Sequence, residues 1–216
     1  MNFVTFATGS REGDARAPGR LSRILKSRRL PISVASAEQI HGSGVRIIPK
    51  LSKPQKSLGA DALLTEHPGQ PLAIFTADCI PVFLNADDGH VVGLLHAGWR
   101  GVQKRILPKA IHLLKSKWGI QPSHVQAWSG PHIGPCCFET QWDVARYFPL
   151  SRRRSGERWK VDLGKEIKRQ AALLGVRWVS KKGFKGCTMH EARFYSYRRD
   201  KTPKRQVSII MKRKTR

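Results

Sequence analysis

The sequence of 216 residues is poor in acidic residues, in cysteine and in long apolar stretches. No run of 18 apolar residues occurs, which argues against a transmembrane helix. The N-terminus lacks the basic-then-apolar layout of a secretory signal. Four cysteines are present without a CxxC pair, so reduced thiols are expected rather than a disulfide framework. These absences together predict a soluble, cytoplasmic protein with no membrane partner.

The shortage of acidic residues leaves a large positive charge. Forty Lys and Arg face 15 Asp and Glu, for a formal net charge of +25. A dense basic surface favours nucleic acid, because counterions are released when it binds phosphates. The basic residues are scattered, however, with clusters only at 152–154, 181–182 and 212–216, and no RNP-like, zinc-knuckle or basic-region pattern accompanies them. We expect at most weak, non-specific nucleic-acid binding; attraction for small phosphate-bearing molecules explains the charge at least as well.

The apolar pattern predicts an α/β fold. Apolar strand-like runs at 60–65, 72–76, 81–84 and 91–96 follow in quick succession, which is typical of a sheet buried on both faces. Asp87-Asp88-Gly89 lies between the last two as a hairpin signal. Helical spacing over 102–118 predicts a helix that is kinked at Pro108 or restarts there.

The remaining segments complete this prediction. Helices are expected over 21–30, 142–148 and 163–174, with a basic loop between the last two and a polar loop over 49–59. Further strands are expected at 2–7, 34–40, 45–48, 125–128, 194–197 and 206–211. No repeat and no shift in composition divides the chain. The expected architecture is one domain over residues 1–216, a layered α/β sandwich with mixed β-sheets flanked by helices.

Three residues with metal-ligand chemistry occur at predicted strand ends: His41 in QIHG, Cys79 in TADC and His96 in LLHAGWRG. Zinc accepts imidazole nitrogen and thiolate sulfur, and a catalytic zinc usually has three protein ligands and one open position. Their wide spacing does not itself identify a site, but sheet-to-loop boundaries are the usual place for one in α/β proteins. Asp61 or Asp78 is a candidate acceptor that orients an imidazole, and Asp61 is equally a candidate local cap.

Anion chemistry is expected at the turn that follows His96. The first N–H groups of the next helix and Arg100 suit a phosphate, with Arg11 and Arg23 as further candidate contacts. A merely solvated role for Arg100 stays open. His132 is either an extra ligand or a loop residue, and the loop is preferred. Packing is preferred to a nucleophilic role for Cys136 and Cys137, because no base lies nearby in the sequence; Cys187 is also expected in the core.

The blocks QIHG, ADALLT, TADCIPV, HAGWRG, GPHIGPCC and YSYRRD, in this order, resemble the laccase-domain family of multicopper polyphenol oxidase type. That family is also described as purine nucleoside phosphorylases with zinc at the site. The resemblance covers about 39–210. It implies that His41, Cys79 and His96 form the catalytic and metal-binding set, holding Zn²⁺ or, alternatively, copper. Segment 6–13 departs from the family pattern, with Arg11 standing in for the family's arginine.

The implied activity is phosphorolysis of adenosine, inosine and methylthioadenosine to the base and the sugar 1-phosphate, with adenosine deamination as an additional activity. Multicopper oxidase chemistry does not fit, because it needs roughly ten His and Cys ligands with HxH pairs, whereas the eight histidines here are dispersed and form no HxH. Two alternatives stay open. One is a cysteine amidase acting on peptidoglycan precursors, with Cys79 as nucleophile and His96 as base. The other is a basic nucleic-acid-binding protein.

Overall fold

A computed structural model describes residues 3–180 and 186–213. The described strands are β1 Phe3–Ala7, β2 Ala35–Ala37, β3 Val45–Ile47, β4 Gln55–Ser57, β5 Ala62–Thr65, β6 Leu72–Thr76, β7 Ile80–Ala86, β8 Val91–Ala97, β9 Val125–Ser129, β10 Glu139–Thr140, β11 Arg152–Ser155, β12 Arg158–Val161, β13 Arg177–Trp178 and β14 Gln206–Lys212. The described helices are α1 Arg20–Ser27, α2 Trp99–Gln103, α3 Ile106–Trp118, α4 Trp142–Ala145, α5 Leu163–Leu173 and α6 Tyr197–Asp200. The basic pair at 181–182, Asn2 of the first predicted strand and the tail at 214–216 lie outside the described residues.

Three mixed or antiparallel sheets form the framework. Six strands in the order β13-β9-β7-β8-β5-β3 make the largest, and five in the order β1-β14-β6-β2-β4 make the second. Both mix parallel and antiparallel pairs, as with the parallel pair β3–β5 beside the antiparallel pair β5–β8. A small antiparallel sheet, β10-β12-β11, lies apart. The mixed α/β class predicted from the sequence is confirmed.

The two large sheets pack face to face and are covered by helices on their outer faces. Alternation along β8 shows the arrangement: Val91 and Leu95 join a core with α3 and α5, whereas Val92 and Leu94 join a core shared with the second sheet. A third core unites the second sheet with α1. The central strands β5, β7 and β8 are buried on both faces, and β6 nearly so, which explains why they are largely apolar rather than alternating. The order of layers is therefore helix, sheet, sheet, helix.

The apolar core strands match their predictions closely, and the hairpin signal at Asp87-Asp88-Gly89 is a 3-10 turn that joins β7 to β8. The predicted helix over 102–118 is interrupted. Arg105 adopts a left-handed conformation with φ of 60°, so α2 ends before it and α3 begins directly after it. Pro108 falls in the first turn of α3, where its missing N–H costs nothing.

Several predicted elements were wrong. The polar loop over 49–59 contains β4, and the basic loop before α5 is the hairpin β11–β12. The strand predicted at 194–197 does not form. Instead, the side-chain amide of Gln206 pairs with the backbone of Tyr195, and Ser196 caps α6 by accepting a hydrogen bond from the Arg199 N–H. Backbone groups that would have joined a sheet are thus satisfied by side chains.

Within residues 3–180 and 186–213, no helix combines the length and apolarity that crossing a membrane requires.

Candidate metal centre

His41, Cys79 and His96 come together at one edge of the six-stranded sheet. His96 lies near the end of β8, opposite Pro81 of the antiparallel β7, so Cys79 just before β7 lies beside it. His41 enters from the loop after β2, with a positive φ of 58°. One ligand atom from each of the three lies within 4.8 Å of the others. Two imidazoles and a thiolate are donors that zinc and copper both accept, so the set fits a transition-metal ion.

Asp61 organises both histidines. Its Oδ1 lies 2.8 Å from His96 Nδ1 and accepts the His41 backbone N–H at 3.1 Å. Its Oδ2 accepts the Gly42 N–H at 2.7 Å. Asp61 is therefore both a local cap and an imidazole partner. A proton on Nδ1 directed at Asp61 leaves the Nε2 lone pair of His96 for a metal ion, the arrangement by which an acidic group commonly orients a histidine ligand.

The electrostatics favour a charged Cys79–His96 pair. Burial opposes the thiolate, but the positive charge of His96, with hydrogen bonds from His41 and His96, lowers the pKa of Cys79 to about 6. Burial likewise opposes a charge on His96, but the Cys79 thiolate and Asp61 raise its pKa to about 9. Burial would raise the pKa of Asp61, yet the hydrogen bonds from His96 and Gly42 lower it. The Cys79 sulfur is therefore disposed to act as a thiolate near neutral pH.

Gly98, in the turn between β8 and α2, lies so close to Cys79 and His41 that a larger residue would crowd them. A Cβ atom there would lie 3.1 Å from the Cys79 sulfur and 3.3 Å from Cδ2 of His41. The neighbouring Gly101 is crowded in the same way, since its Cβ would lie 3.0 Å from the carbonyl oxygen of Gly42. The close backbone approach of β8 and α2 to the loop that carries His41 thus accounts for the two glycines of the HAGWRG block.

The cluster lies in the wall of a cavity of about 590 Å³. This volume is in the range of small-molecule sites. The lining also includes three aromatic residues (Phe75, Phe138 and Tyr197), three arginines (Arg16, Arg198 and Arg205) and the acidic residues Glu38 and Asp78. Burial lowers the pKa of Arg16 and the charge of Arg205 lowers it further, whereas the carboxylate of Asp14 raises it. An anion bound near Arg16 and Arg205 would offset the repulsion between these two cations.

The three arginines expected to contact phosphate lie elsewhere. Arg100 is exposed and its guanidinium stacks 4.4 Å from the Trp99 ring centre. Arg11 and Arg23 are exposed on the 3-10 turn at Ser10–Glu12 and on α1. None of the three is among the described residues that line the cavity. Three other arginines line it. Arg198 lies in the YSYRRD block, whereas Arg16 and Arg205 carry no local sequence signal, and the fold brings all three together from distant segments.

Asp78 differs from expectation, whereas His132 lies in a loop, the placement preferred for it from the sequence. The carboxylate of Asp78 accepts hydrogen bonds from the Thr188 hydroxyl at 2.6 Å and from the Arg198 N–H at 2.7 Å, so it holds the C-terminal segment rather than an imidazole. His132 Nδ1 lies 2.8 Å from the Gly130 carbonyl, and burial lowers the pKa of its ring. It belongs to neither of the two potential metal-binding groups found among the described residues.

The cysteines expected to pack in the core do not. Cys136 is exposed, and Cys137 and Cys187 are only partly buried. Their approach to one another was not foreseen, because it depends on contacts across 51 residues of chain.

The protein is thus a layered α/β protein with a candidate transition-metal site, formed by two histidines and a cysteine, at the edge of its largest sheet. A family model described as multi-copper polyphenol oxidoreductase laccase matches residues 2–213. The chain belongs to that family, which confirms the resemblance of the six sequence blocks.

Similar proteins carry a name that refers to nucleosides. The chain is 33% identical over 196 residues to the purine nucleoside phosphorylase YfiH of Shigella flexneri, covering 87% of this chain and 77% of that protein. It is 34% identical over 202 residues to the purine nucleoside phosphorylase of Xylella fastidiosa, with coverages of 87% and 75%. A Haemophilus influenzae protein of the same name is 30% identical over 221 residues, with coverages of 96% and 87%.

Solved structures agree on the fold. The crystal structure of YlmD from Geobacillus stearothermophilus aligns with a TM-score of 0.81 at 27% identity, covering 99% of this chain and 87% of that one. A Bacillus licheniformis protein titled hypothetical protein YfiH aligns with a TM-score of 0.78 at 22% identity, with coverages of 89% and 79%. At that identity the second alignment speaks for the fold alone.

Proposed function

We propose that this protein is a zinc-dependent purine nucleoside phosphorylase, which cleaves adenosine, inosine and methylthioadenosine with phosphate and also deaminates adenosine. The observation that carries the proposal is the His41–Cys79–His96 set in the wall of a cavity that also presents aromatic rings and arginines. The names of the similar proteins add support. As a single domain over residues 1–216, the chain would hold the whole site.

The lining provides a place for each part of the substrates. Phe75 and Phe138 would offer apolar ring faces to a purine, and base–aromatic stacking contributes about 1–3 kcal/mol per base. Arg16 and Arg205 both line the cavity and would be the cationic contacts for inorganic phosphate. Arg198 is held by a hydrogen bond from its Nη1 to the Glu139 carbonyl, which directs a third guanidinium into the same cavity. Phosphate and nucleoside would thus be held together, which orients them for reaction.

At the cluster, a bound metal ion would supply Lewis acidity and lower the pKa of bound water to about 7. His41, Cys79 and His96 would hold the ion. Asp61 keeps the proton on Nδ1 of His96 and fixes the ring plane, so that Nε2 is directed at the cluster. Its hydrogen bonds from His41 and Gly42 hold the loop that delivers the third ligand.

The test is an assay of hypoxanthine release from inosine with and without phosphate, combined with metal analysis. We expect phosphate-dependent release in the wild-type protein, an activity lower by roughly 100-fold or more in His41→Ala and Cys79→Ala, and loss from both variants of the zinc ion held at this cluster. His112→Ala removes an exposed histidine of α3 and serves as the matched control, with unchanged activity. Full activity in both site variants would sink the proposal. Assays of adenosine, with ammonia detected separately, decide the deaminase activity.

A second candidate is a thiol hydrolase acting on peptidoglycan precursors. Cys79, His96 and Asp61 are arranged as a nucleophile, its base and the group that orients the base. This order of contacts is the one that a cysteine amidase needs. Chelation separates the two candidates, because amide hydrolysis by Cys79 survives removal of zinc and phosphorolysis does not.

A further inference from the structure

A second group of soft ligands lies outside the His41–Cys79–His96 set. Cys136, Cys137, Cys187 and His190 each offer one ligand atom, and these four atoms lie within 4.8 Å of one another. The sulfurs of Cys136 and Cys187 are 3.8 Å apart. The His190 ring places Nε2 3.1 Å from the Cys137 sulfur and Nδ1 3.9 Å from the Cys136 sulfur. The group shares no residue with the first.

The separation of the Cys136 and Cys187 sulfurs matches that in a tetrahedral zinc site. With Zn–S bonds of about 2.3 Å, two sulfurs of a tetrahedral zinc lie about 3.8 Å apart. That separation is the one between Cys136 and Cys187, and it is far longer than a disulfide of about 2.05 Å. Three cysteines and one histidine form a closed ligand set without a position for substrate, which is typical of structural zinc.

The backbone around the group supports metal-bound thiolates. The Gly134 N–H donates to the Cys187 sulfur at 3.2 Å, and the backbone N–H groups of Met189 and His190 face the same sulfur. A Cβ on Gly134 would lie 3.2 Å from the Cys136 sulfur and 3.5 Å from that of Cys187, so a larger residue would crowd the group. N–H donors around a ligand sulfur are the outer contacts that orient and tune a metal site.

We propose that Cys136, Cys137, Cys187 and His190 form a second, structural zinc site that fastens the loop after β9 to the segment before α6. On binding, the three thiols lose their protons to solvent and their sulfurs bind the ion, with one nitrogen of His190 completing the tetrahedron. A second contact already joins the two segments, since the Thr188 N–H donates to the His132 carbonyl at 3.1 Å. The bound ion would cross-link these two segments much more strongly than this single hydrogen bond does.

Asp78 connects this second group of ligands to the His41–Cys79–His96 site. Thr188, next to Cys187, donates its hydroxyl to Asp78, and the Arg198 N–H donates to the other oxygen of the same carboxylate. Asp78 directly precedes Cys79. The segment fastened by the second ion therefore holds the residue beside the cavity thiolate and also carries Tyr197 and Arg198 of the lining.

The decisive measurement is zinc stoichiometry of the full chain, by elemental analysis after dialysis against Zn²⁺-free buffer. We expect two zinc ions per chain in the wild type, one in Cys187→Ala, one in Cys79→Ala and none in the double variant. An unchanged zinc content in Cys187→Ala would overturn the second site. A chain that holds one zinc, lost in Cys187→Ala and kept in Cys79→Ala, would support this site while contradicting the metal of the proposed function.

A labelling experiment on the wild-type protein covers the case in which a variant fails to fold. Iodoacetamide should modify Cys136, although exposed, only slowly in the zinc-loaded protein and rapidly after chelation, as read from the mass of its peptide. Equal labelling before and after chelation contradicts the proposal. So does an intact mass that shows a Cys136–Cys187 disulfide in freshly purified protein, because two bonded sulfurs leave too few thiolates for the site.

Discussion

At the scale of single residues, Asp61 controls the geometry of both histidines in the candidate metal centre. It is fully buried and makes three hydrogen bonds, one to a ring nitrogen and two to backbone N–H groups. An asparagine there would keep the size, lose the negative charge and present an N–H₂ group to part of this network.

The first prediction concerns Asp61→Asn, which should weaken zinc binding about 10- to 100-fold, the usual cost of losing such an outer partner. Competition with a chromophoric chelator measures the change. Asp143→Asn, at an exposed position of α4, is the control and should bind zinc as the wild type does. Wild-type affinity in Asp61→Asn would show that the carboxylate does not orient His96.

The second prediction concerns the ionisation of Cys79. Because its pKa is lowered to about 6, the thiolate should persist in metal-stripped protein as the pH falls from 9 and disappear only as the pH passes through about 6. Alkylation of Cys79 followed by peptide mass should therefore have a midpoint near pH 6. In His96→Ala the midpoint should move up, since the cation that opposes burial is gone. A wild-type midpoint at the ordinary thiol value would contradict this charged pair.

At the scale of elements, the tight turn from β8 into α2 sets the size of the site. Gly98 has an ordinary φ of −70°, so its need for glycine comes from crowding alone. The third prediction is that Gly98→Ala lowers zinc occupancy, because its methyl group would press on the Cys79 sulfur. Zinc content should fall more than the melting temperature of the metal-stripped protein does. A normal zinc content would mean that the turn shifts to accommodate the methyl group.

The cavity arginines come from segments other than that turn. The fourth prediction is that Arg16→Ala raises the KM for phosphate by roughly 10- to 100-fold, as expected from losing a charged hydrogen bond of about 1.5–3 kcal/mol. Arg100→Ala, which removes an exposed guanidinium stacked on Trp99, should change it little. If steady-state assays showed a larger increase in the KM for phosphate in Arg100→Ala than in Arg16→Ala, the phosphate would bind at the turn from β8 into α2 instead.

The buried strands were the most predictable elements. β5, β6 and β8 are apolar on both faces, so their sequence shows them without tertiary information. β11 and β12 could not be recognised, because their outward positions carry arginine and their sheet is held partly by Arg152 stacking on Trp159 at 5.0 Å.

The residues of the candidate sites likewise fall into those that the sequence indicated and those that it did not. Cys79, just before β7, and His96, near the end of β8, lie at the strand ends that the sequence indicated, whereas His41 lies in the loop after β2, beyond the shorter strand that forms there. The four ligands of the second group and the cavity arginines are joined only by the fold.

At the scale of the whole molecule, the charge of +25 has a local concentration on the hairpin β11–β12, where Arg153, Arg154 and Arg158 are exposed. The fifth prediction is that the protein binds single-stranded RNA weakly, and that the logarithm of the binding constant falls linearly with the logarithm of the salt concentration. His41→Ala should leave it unchanged, and the pair Arg153→Ala with Arg158→Ala should reduce the slope by about 1.4, or 0.7 per phosphate contact. Filter binding over a salt series measures this, and tight binding that is insensitive to salt would contradict it.

The position of β14 has a consequence for synthesis on the ribosome. This strand lies between β1 and β6 and pairs with both, although β1 begins at residue 3 and β14 at residue 206. While the chain is being translated, the facing edges of β1 and β6 stay without their partner until β14 has left the exit tunnel. Non-local pairing of this kind slows folding and leaves unpaired strand edges exposed, where they are prone to aggregation. The nascent chain is therefore expected to be most prone to aggregation before β14 emerges.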